Sequence, residues 1–320
     1  MTCTFHPDRD TLLGCTRCGR SACPDCLQDA PVGRHCPACV RGLPADQPLT
    51  ASDIRLLLAR SRREERARTG SRRPGWVFYL VVAVFLGLCA GAVALEVPVL
   101  TSEPVGRLVA VGVVVSGVVL SVTLHEYAHA LTAWWGGDRS VAAKGYLTLD
   151  FRRYAHPLLS VGMPVLFLAI GALPLPGGAV LIEQHRLRSR AWSSIVSAAG
   201  VVTNAAFALV LAAVLATGVL DGSLVLQSLL SYLVVIQVTL VLLNLLPLPG
   251  LDGYGVVEPF LPRPLAASLE AVRPYGLVLL VVLMFSGGLD FVWQAGFAVG
   301  DLLGIDRTLV GVGAAVATLR

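Results

Sequence analysis

The chain has 320 residues, of which 55% are hydrophobic and only 14% charged, with a formal net charge of +4. Soluble domains are nearer a quarter charged, so a mean hydropathy of +0.71 excludes an ordinary soluble globular protein and requires lipid as well as a packed core. Lys144 is the single lysine among 25 basic residues. With so much Ala, Gly and Val, that reflects a GC-rich genome more than nucleic-acid binding, and no nucleic-acid partner is expected.

Seven of the eight cysteines lie in the first 39 residues. With His6 they make four pairs of ligands two residues apart: Cys3 and His6, Cys15 and Cys18, Cys23 and Cys26, Cys36 and Cys39. Such a pair wraps a tight turn and offers two donors to one tetrahedral ion. Four pairs suffice for two structural zinc ions. About 40 residues bury too little core to fold alone, so metal would hold residues 1–40 together. The other reading of the cysteines is a disulfide knot; pairing in twos and a reducing cytoplasmic location favour zinc. His35 could replace Cys36 as a ligand. The pattern resembles B-box-like zinc fingers. That resemblance implies alternating pairs, with the first and third on one ion and the second and fourth on the other. No position is left open for catalysis, so the module reads as a docking or sensing domain with a protein partner. No apolar run of signal-peptide type occurs in residues 1–40.

Residues 41–75 read as a basic juxtamembrane linker. Eight arginines fall between Arg55 and Arg73, on a stretch with an apolar stripe at Ile54, Leu57 and Leu58. Basic residues close to a span mark its cytoplasmic side, which puts the N-terminus inside. A first helix is expected over 76–95, with Trp76 and Tyr79 at the interface. Cys89 within it reads as a small core residue.

A second helix starts near Val105 and runs inward to His125-Glu126-Tyr127-Ala128-His129. The i, i+4 spacing puts both imidazoles on one helix face, one turn apart, able to grip one Zn²⁺. Glu126 sits beside the first ligand as a general base, and zinc brings the pKa of its water to roughly 7. Three polar groups at bilayer depth are expensive enough to imply function. Residues 244–254, NLLPLPGLDGY, end a helix that starts near Leu224. Their prolines and glycines break it where only a protein-lined cavity satisfies the backbone. Asp252 lies in that break as a third ligand. Two His and one Asp leave the fourth position for water, the arrangement of a catalytic zinc.

HEYAH followed by NLLPLPGLDGY resembles the site-2 protease family of intramembrane zinc metalloproteases. Ala199-Gly200-Val201-Val202-Thr203-Asn204 is similar to the family's A-G-P-x-x-N, with Val201 where the family has Pro, and Trp135-Gly136-Gly137-Asp138 also fits. The resemblance covers roughly 105–260. It implies that Asn204 lies near the active site and helps to stabilise the oxyanion. It also implies regulated cleavage of a membrane-spanning signalling protein, such as an anti-sigma factor, and edge-strand docking of the unwound substrate on a hairpin at 143–156.

For His125 and Asp252 to meet, the apolar segment from His156 to Gly178 cannot cross the membrane fully. Arginines precede it (Arg139, Arg152, Arg153) and follow it (Arg186, Arg188, Arg190), so both flanks belong inside. It is expected to be re-entrant or peripheral, its ends on the cytoplasmic side. The run from Tyr275 to Ile305 is one tilted helix or a broken pair, and 306–320 a C-terminal tail. The expectation is therefore an all-α polytopic protein of a bacterial cell membrane. It has about five to six transmembrane helices and one re-entrant segment over 76–305, with N-terminus and active site toward the cytoplasm. Its function is zinc endoproteolysis of membrane-spanning substrates, with one catalytic and two structural zinc ions. The rival readings are a catalytically silent adaptor that binds clients through its fingers and a metal or proton transporter.

Overall fold

The computed structural model describes residues 1–30, 33–44, 49–59, 73–100, 103–153, 167 and 180–318. The chain divides into two units, Met1–Thr69 and Gly70–Arg320.

The first unit has little regular structure. Strands β1 (Gln28–Asp29) and β2 (Arg34–His35) pair antiparallel, and a single helical turn, α1 (Pro37–Val40), follows. Its core is made of sulfur: six of its cysteines are buried around Phe5 and Ala22. The part of the linker expected from residue 41 is not a plain connector. Residues 51–59 are helical, started by reciprocal bonds in which Asp53 Oδ2 accepts from Thr50 N–H at 2.9 Å and Thr50 Oγ1 accepts from Asp53 N–H at 3.2 Å. Leu57 is buried against the cysteine core, and Ile54 and Leu58 pack beside it. The apolar stripe thus covers the small module. Residues 60–72, with most of the basic cluster, lie outside the described residues.

The second unit is helical. In chain order it comprises α2 (Trp76–Ala94), α3 (Glu96–Leu100), α4 (Pro104–Gly136), α5 (Ser140–Ala143), α6 (Arg190–Ala216), α7 (Leu224–Asn244), α8 (Asp252–Val257), α9 (Arg263–Val272), α10 (Gly276–Phe285), α11 (Asp290–Leu302) and α12 (Arg307–Ala317). Among the described residues, α2, α4, α6 and α7 are long and apolar enough to span a bilayer. A fifth span results if the bent pair Pro264–Tyr275 and Val278–Phe285, which turns by 71°, counts as one. All are continuous apolar runs, as lipid requires of helices that satisfy their own backbone.

Helix α7 is the hub: 83% of its most apolar window is buried, against 22% for α2. It packs against α6, α11, α12 and α4. In lipid, close packing and polar contacts hold helices together more than apolar burial does, and α7 buries Ser228, Ser231, Gln237 and Thr239. Gly313 of α12 sits so near that a Cβ there would stand 2.2 Å from Ser228 O. Residues 307–317, expected within a tail, therefore form a packed helix; Val310, Val316 and Ala317 are buried on the bundle core. Between Tyr275 and Ile305 the chain is a broken pair. It divides after Phe285 at Gly287, whose φ of +78° favours glycine.

No hairpin forms over the described part of 143–156. Residues Tyr146–Thr148 and Phe151–Arg153 are 3-10 turns, and Gly145 and Leu149 both have positive φ, which interrupts an extended course. The segment expected to be re-entrant, 156–178, lies outside the described residues apart from Phe167. Its flanks do meet: Lys144 Nζ donates to Leu181 O at 2.9 Å, and Arg188 N–H donates to Gly136 O at 2.9 Å.

Candidate active site

HEYAH occupies the C-terminal half of α4, where His125, Glu126 and His129 are all buried. One helical turn brings the rings edge to face, with centroids 4.6 Å apart and Nε2 atoms separated by 3.0 Å. Asp252 comes from far along the chain. After α7 ends at Asn244, the Pro247–Gly250 stretch turns the chain (Gly250 φ +102°), and Asp252 opens α8. Its Oδ2 lies 3.1 Å from His125 Nε2 and its Oδ1 3.3 Å from His129 Nε2. The three donors thus form a triangle of a size that fits one face of a tetrahedron with bonds of about 2.0–2.2 Å.

Two details fit a cation there. Asp252 Oδ2 is buried and has no hydrogen bond, an orphaned acceptor that a metal would satisfy. His129 Nδ1 lies 2.6 Å from Val196 O, which fixes the ring so that its Nε2 lone pair faces the triangle. Gly200 of α6 makes the approach possible, since a Cβ there would sit 2.4 Å from His129 Nε2 and 2.5 Å from His125 Cε1.

A cavity of about 440 Å³ opens beside the triangle, lined by Glu126, Ser193, Asn244 and Tyr254 among others. A second, of about 700 Å³, shares Gln184, Leu187, Ser193 and Glu258 with the first. Together they make an approach to the carboxylates, with Gln184, Ser193 and Glu258 as polar groups along it. Glu126 Oε2 accepts a hydrogen bond from Val180 N–H at 2.9 Å. Three residues on, the Glu183 carboxyl is held down at about 2 by the neighbouring Lys144 ammonium.

Asn204 lies on α6. Its side chain is buried one turn beyond Gly200 and does not line the cavity. Ser121 Oγ reaches Asn204 Oδ1 at 3.2 Å and Gln237 Oε1 at 2.6 Å, which joins α6, α4 and α7. The sequence reading missed Ser121 and Gln237. Ser121 lies four residues before His125 on the same helix face, and Gln237 is an amide in the middle of a span; both are polar signals at bilayer depth.

The N-terminal ligands gather in two sets: Cys3, His6, Cys23 and Cys26 in one, and Cys15, Cys18, Cys36 and Cys39 in the other. His35 belongs to neither. Neighbouring sulfurs stand 3.6–3.9 Å apart. That is near the edge of a tetrahedron with zinc–sulfur bonds of about 2.3 Å, and far beyond a disulfide's length of about 2.05 Å. Burial disfavours the Cys15 thiolate, yet the N–H groups of Cys36, Cys18 and Arg17 outweigh it and hold the thiol down at about 6. Burial and then the neighbouring sulfurs push Cys26 and Cys39 up. Thiols so crowded ionise together only around a cation, which suits zinc.

Curated relatives carry the same chemistry in their names. The chain is 37% identical over 244 residues to “Putative zinc metalloprotease Rip2” of Mycolicibacterium smegmatis, covering 76% of this chain and 93% of the relative. It is 40% identical over 242 residues to the Rip2 of Mycobacterium tuberculosis, covering 73% and 92%. To “Putative zinc metalloprotease YwhC” of Bacillus subtilis it is 32% identical over 182 residues, covering 52% and 76%. No family model matches the chain, and no solved structure matches it.

Proposed function

Because this chain belongs to the site-2 protease family of zinc metalloproteases, we propose that it hydrolyses peptide bonds of membrane-spanning proteins near the cytoplasmic face of the bilayer. His125, His129 and Asp252 hold the catalytic zinc and Glu126 is the general base. The observation that carries this reading is the convergence of those three donors beside a buried carboxylate in a cavity at the C-terminal half of α4. Zinc held there supplies Lewis acidity, lowering the pKa of water and polarising a carbonyl. Glu126 takes a proton from the attacking water and passes it to the leaving amide nitrogen. Val196 O keeps His129 in the tautomer that leaves Nε2 free. The linked cavities admit water and the unwound substrate, since a carbonyl within a helix is shielded from attack. Glu126→Gln is expected to abolish cleavage of a membrane-spanning reporter with zinc content unchanged. Equal cleavage by both proteins would sink the assignment.

The same reading covers topology and role. The chain crosses the membrane several times with its N-terminus and active site on the cytoplasmic side. The bonds from Lys144 to Leu181 and from Arg188 to Gly136 support these flanking residues lying on one side. Arg188→Cys is expected to stay unlabelled when intact cells meet an impermeant thiol reagent; labelling from outside would overturn it. The cysteine clusters hold two structural zinc ions in a docking domain for a protein partner. The cleavage serves regulated release of a signalling protein, of which an anti-sigma factor is one type.

A further inference from the structure

Besides the metal triangle, the cavity is bordered by the segment that precedes α6. Residues 180–183 form neither helix nor strand, and Val180 and Ile182 line the cavity. Three contacts hold this segment to its neighbours. Val180 N–H donates to Glu126 Oε2 at 2.9 Å. Leu181 O accepts from Lys144 Nζ at 2.9 Å, and Glu183 N–H donates to Asp138 Oδ2 at 2.8 Å.

Asp138 is the unusual member. It is 0% exposed, and it accepts from two backbone N–H groups: Oδ1 takes that of Ser140 at 2.9 Å and Oδ2 that of Glu183. Burying a carboxylate is costly unless its bonds are well made. This one ties the end of α4, the helix that carries Glu126, to the segment whose first amide touches Glu126. A carboxylate on a side chain with three torsions aims poorly unless it is held. Here one oxygen is pinned, which leaves Oε1 to meet water in the cavity.

We propose that the Val180 backbone N–H is the positioning group of the general base, and that Asp138 is the buried anchor that keeps the Val180–Glu183 segment in place for it. This rests on Glu126 being the base. It is distinct from a shutter, in which the same contact would occupy Glu126 and block it until the segment moved away. The two ideas predict opposite signs. Proline at 180 removes the N–H, whereas alanine trims the side chain and keeps the N–H.

The test uses the full chain in lipid vesicles with a membrane-spanning reporter peptide that the wild type cleaves. Val180→Pro is expected to lower kcat by about 10- to 100-fold relative to Val180→Ala. KM stays unchanged and each of the three metal groups keeps its zinc. Asp138→Asn, which replaces one acceptor oxygen by a donor, lowers kcat by about tenfold, again without moving KM. The proposal is overturned if Val180→Pro matches Val180→Ala, or if it is faster, as a shutter requires. Should Val180→Pro lose zinc, Asp138→Asn decides alone: a zinc-loaded variant with wild-type kcat ends the proposal. Glu126→Gln with wild-type activity would instead remove the base itself, a separate failure.

Discussion

The chain gathers metal ligands in two ways. In the N-terminal module, eight ligands come from 37 consecutive residues and close two four-donor sites. In the membrane unit three donors meet, two from α4 and one from a helix start far along the chain. The first arrangement leaves no room for water and suits a metal that supplies folding energy; the second leaves a position open and suits chemistry. A closed site can be its own scaffold. An open one depends on a bundle rigid enough to hold donors that the metal alone does not pull together.

The sharpest way to separate the two is to remove one ligand from each. His125→Ala is expected to abolish proteolysis and cost one zinc per chain by metal analysis, with the cysteine module intact. Cys15→Ser is expected to release one zinc and expose the module to proteases, because the metal accounts for most of its folding energy, about 10–16 kcal/mol in zinc fingers of similar size. The catalytic zinc should remain. Loss of all metal from either variant would mean that the sites are not independent. A smaller effect is expected at Gly200→Ala, whose methyl would press on both imidazoles. Affinity for the catalytic zinc should fall about 10- to 100-fold in a chelator titration, while the cysteine sites are untouched. Smallest is Asn204→Ala, expected to lower stability by about 1–2 kcal/mol by loosening the Ser121–Asn204–Gln237 contacts. Thermal unfolding in detergent measures it. A collapse of kcat with unchanged melting would assign Asn204 to the oxyanion.

The legible parts of this molecule are those with a local signature. The helices α2, α4, α6 and α7 begin and end within a few residues of where apolar runs start and charges or prolines stop. The meeting of His125 with His129 follows from a four-residue spacing, and that of both with Asp252 from a helix broken at depth. The illegible parts depend on backbone. Leu149 at positive φ undoes an expected hairpin, and no side-chain pattern announces it. The Val180–Glu183 segment is held through main-chain N–H and C=O groups, which every residue type possesses. Helix α12 is too short to span and packs through glycine and alanine, so its sequence resembles a tail.

Delivery of Asp252 by the chain beyond α7 also sets a schedule. Translation adds about 5–20 residues per second, so Asp252 follows His125, roughly 130 residues upstream, by about 6 to 26 seconds. Through that interval the nascent chain holds both histidines and Glu126 without the third ligand. The hydrolytic centre is thus withheld from the ribosome-bound intermediate and appears only when α7 has been made and docked. A chain interrupted before α8 therefore carries two of the three donors and no closed triangle.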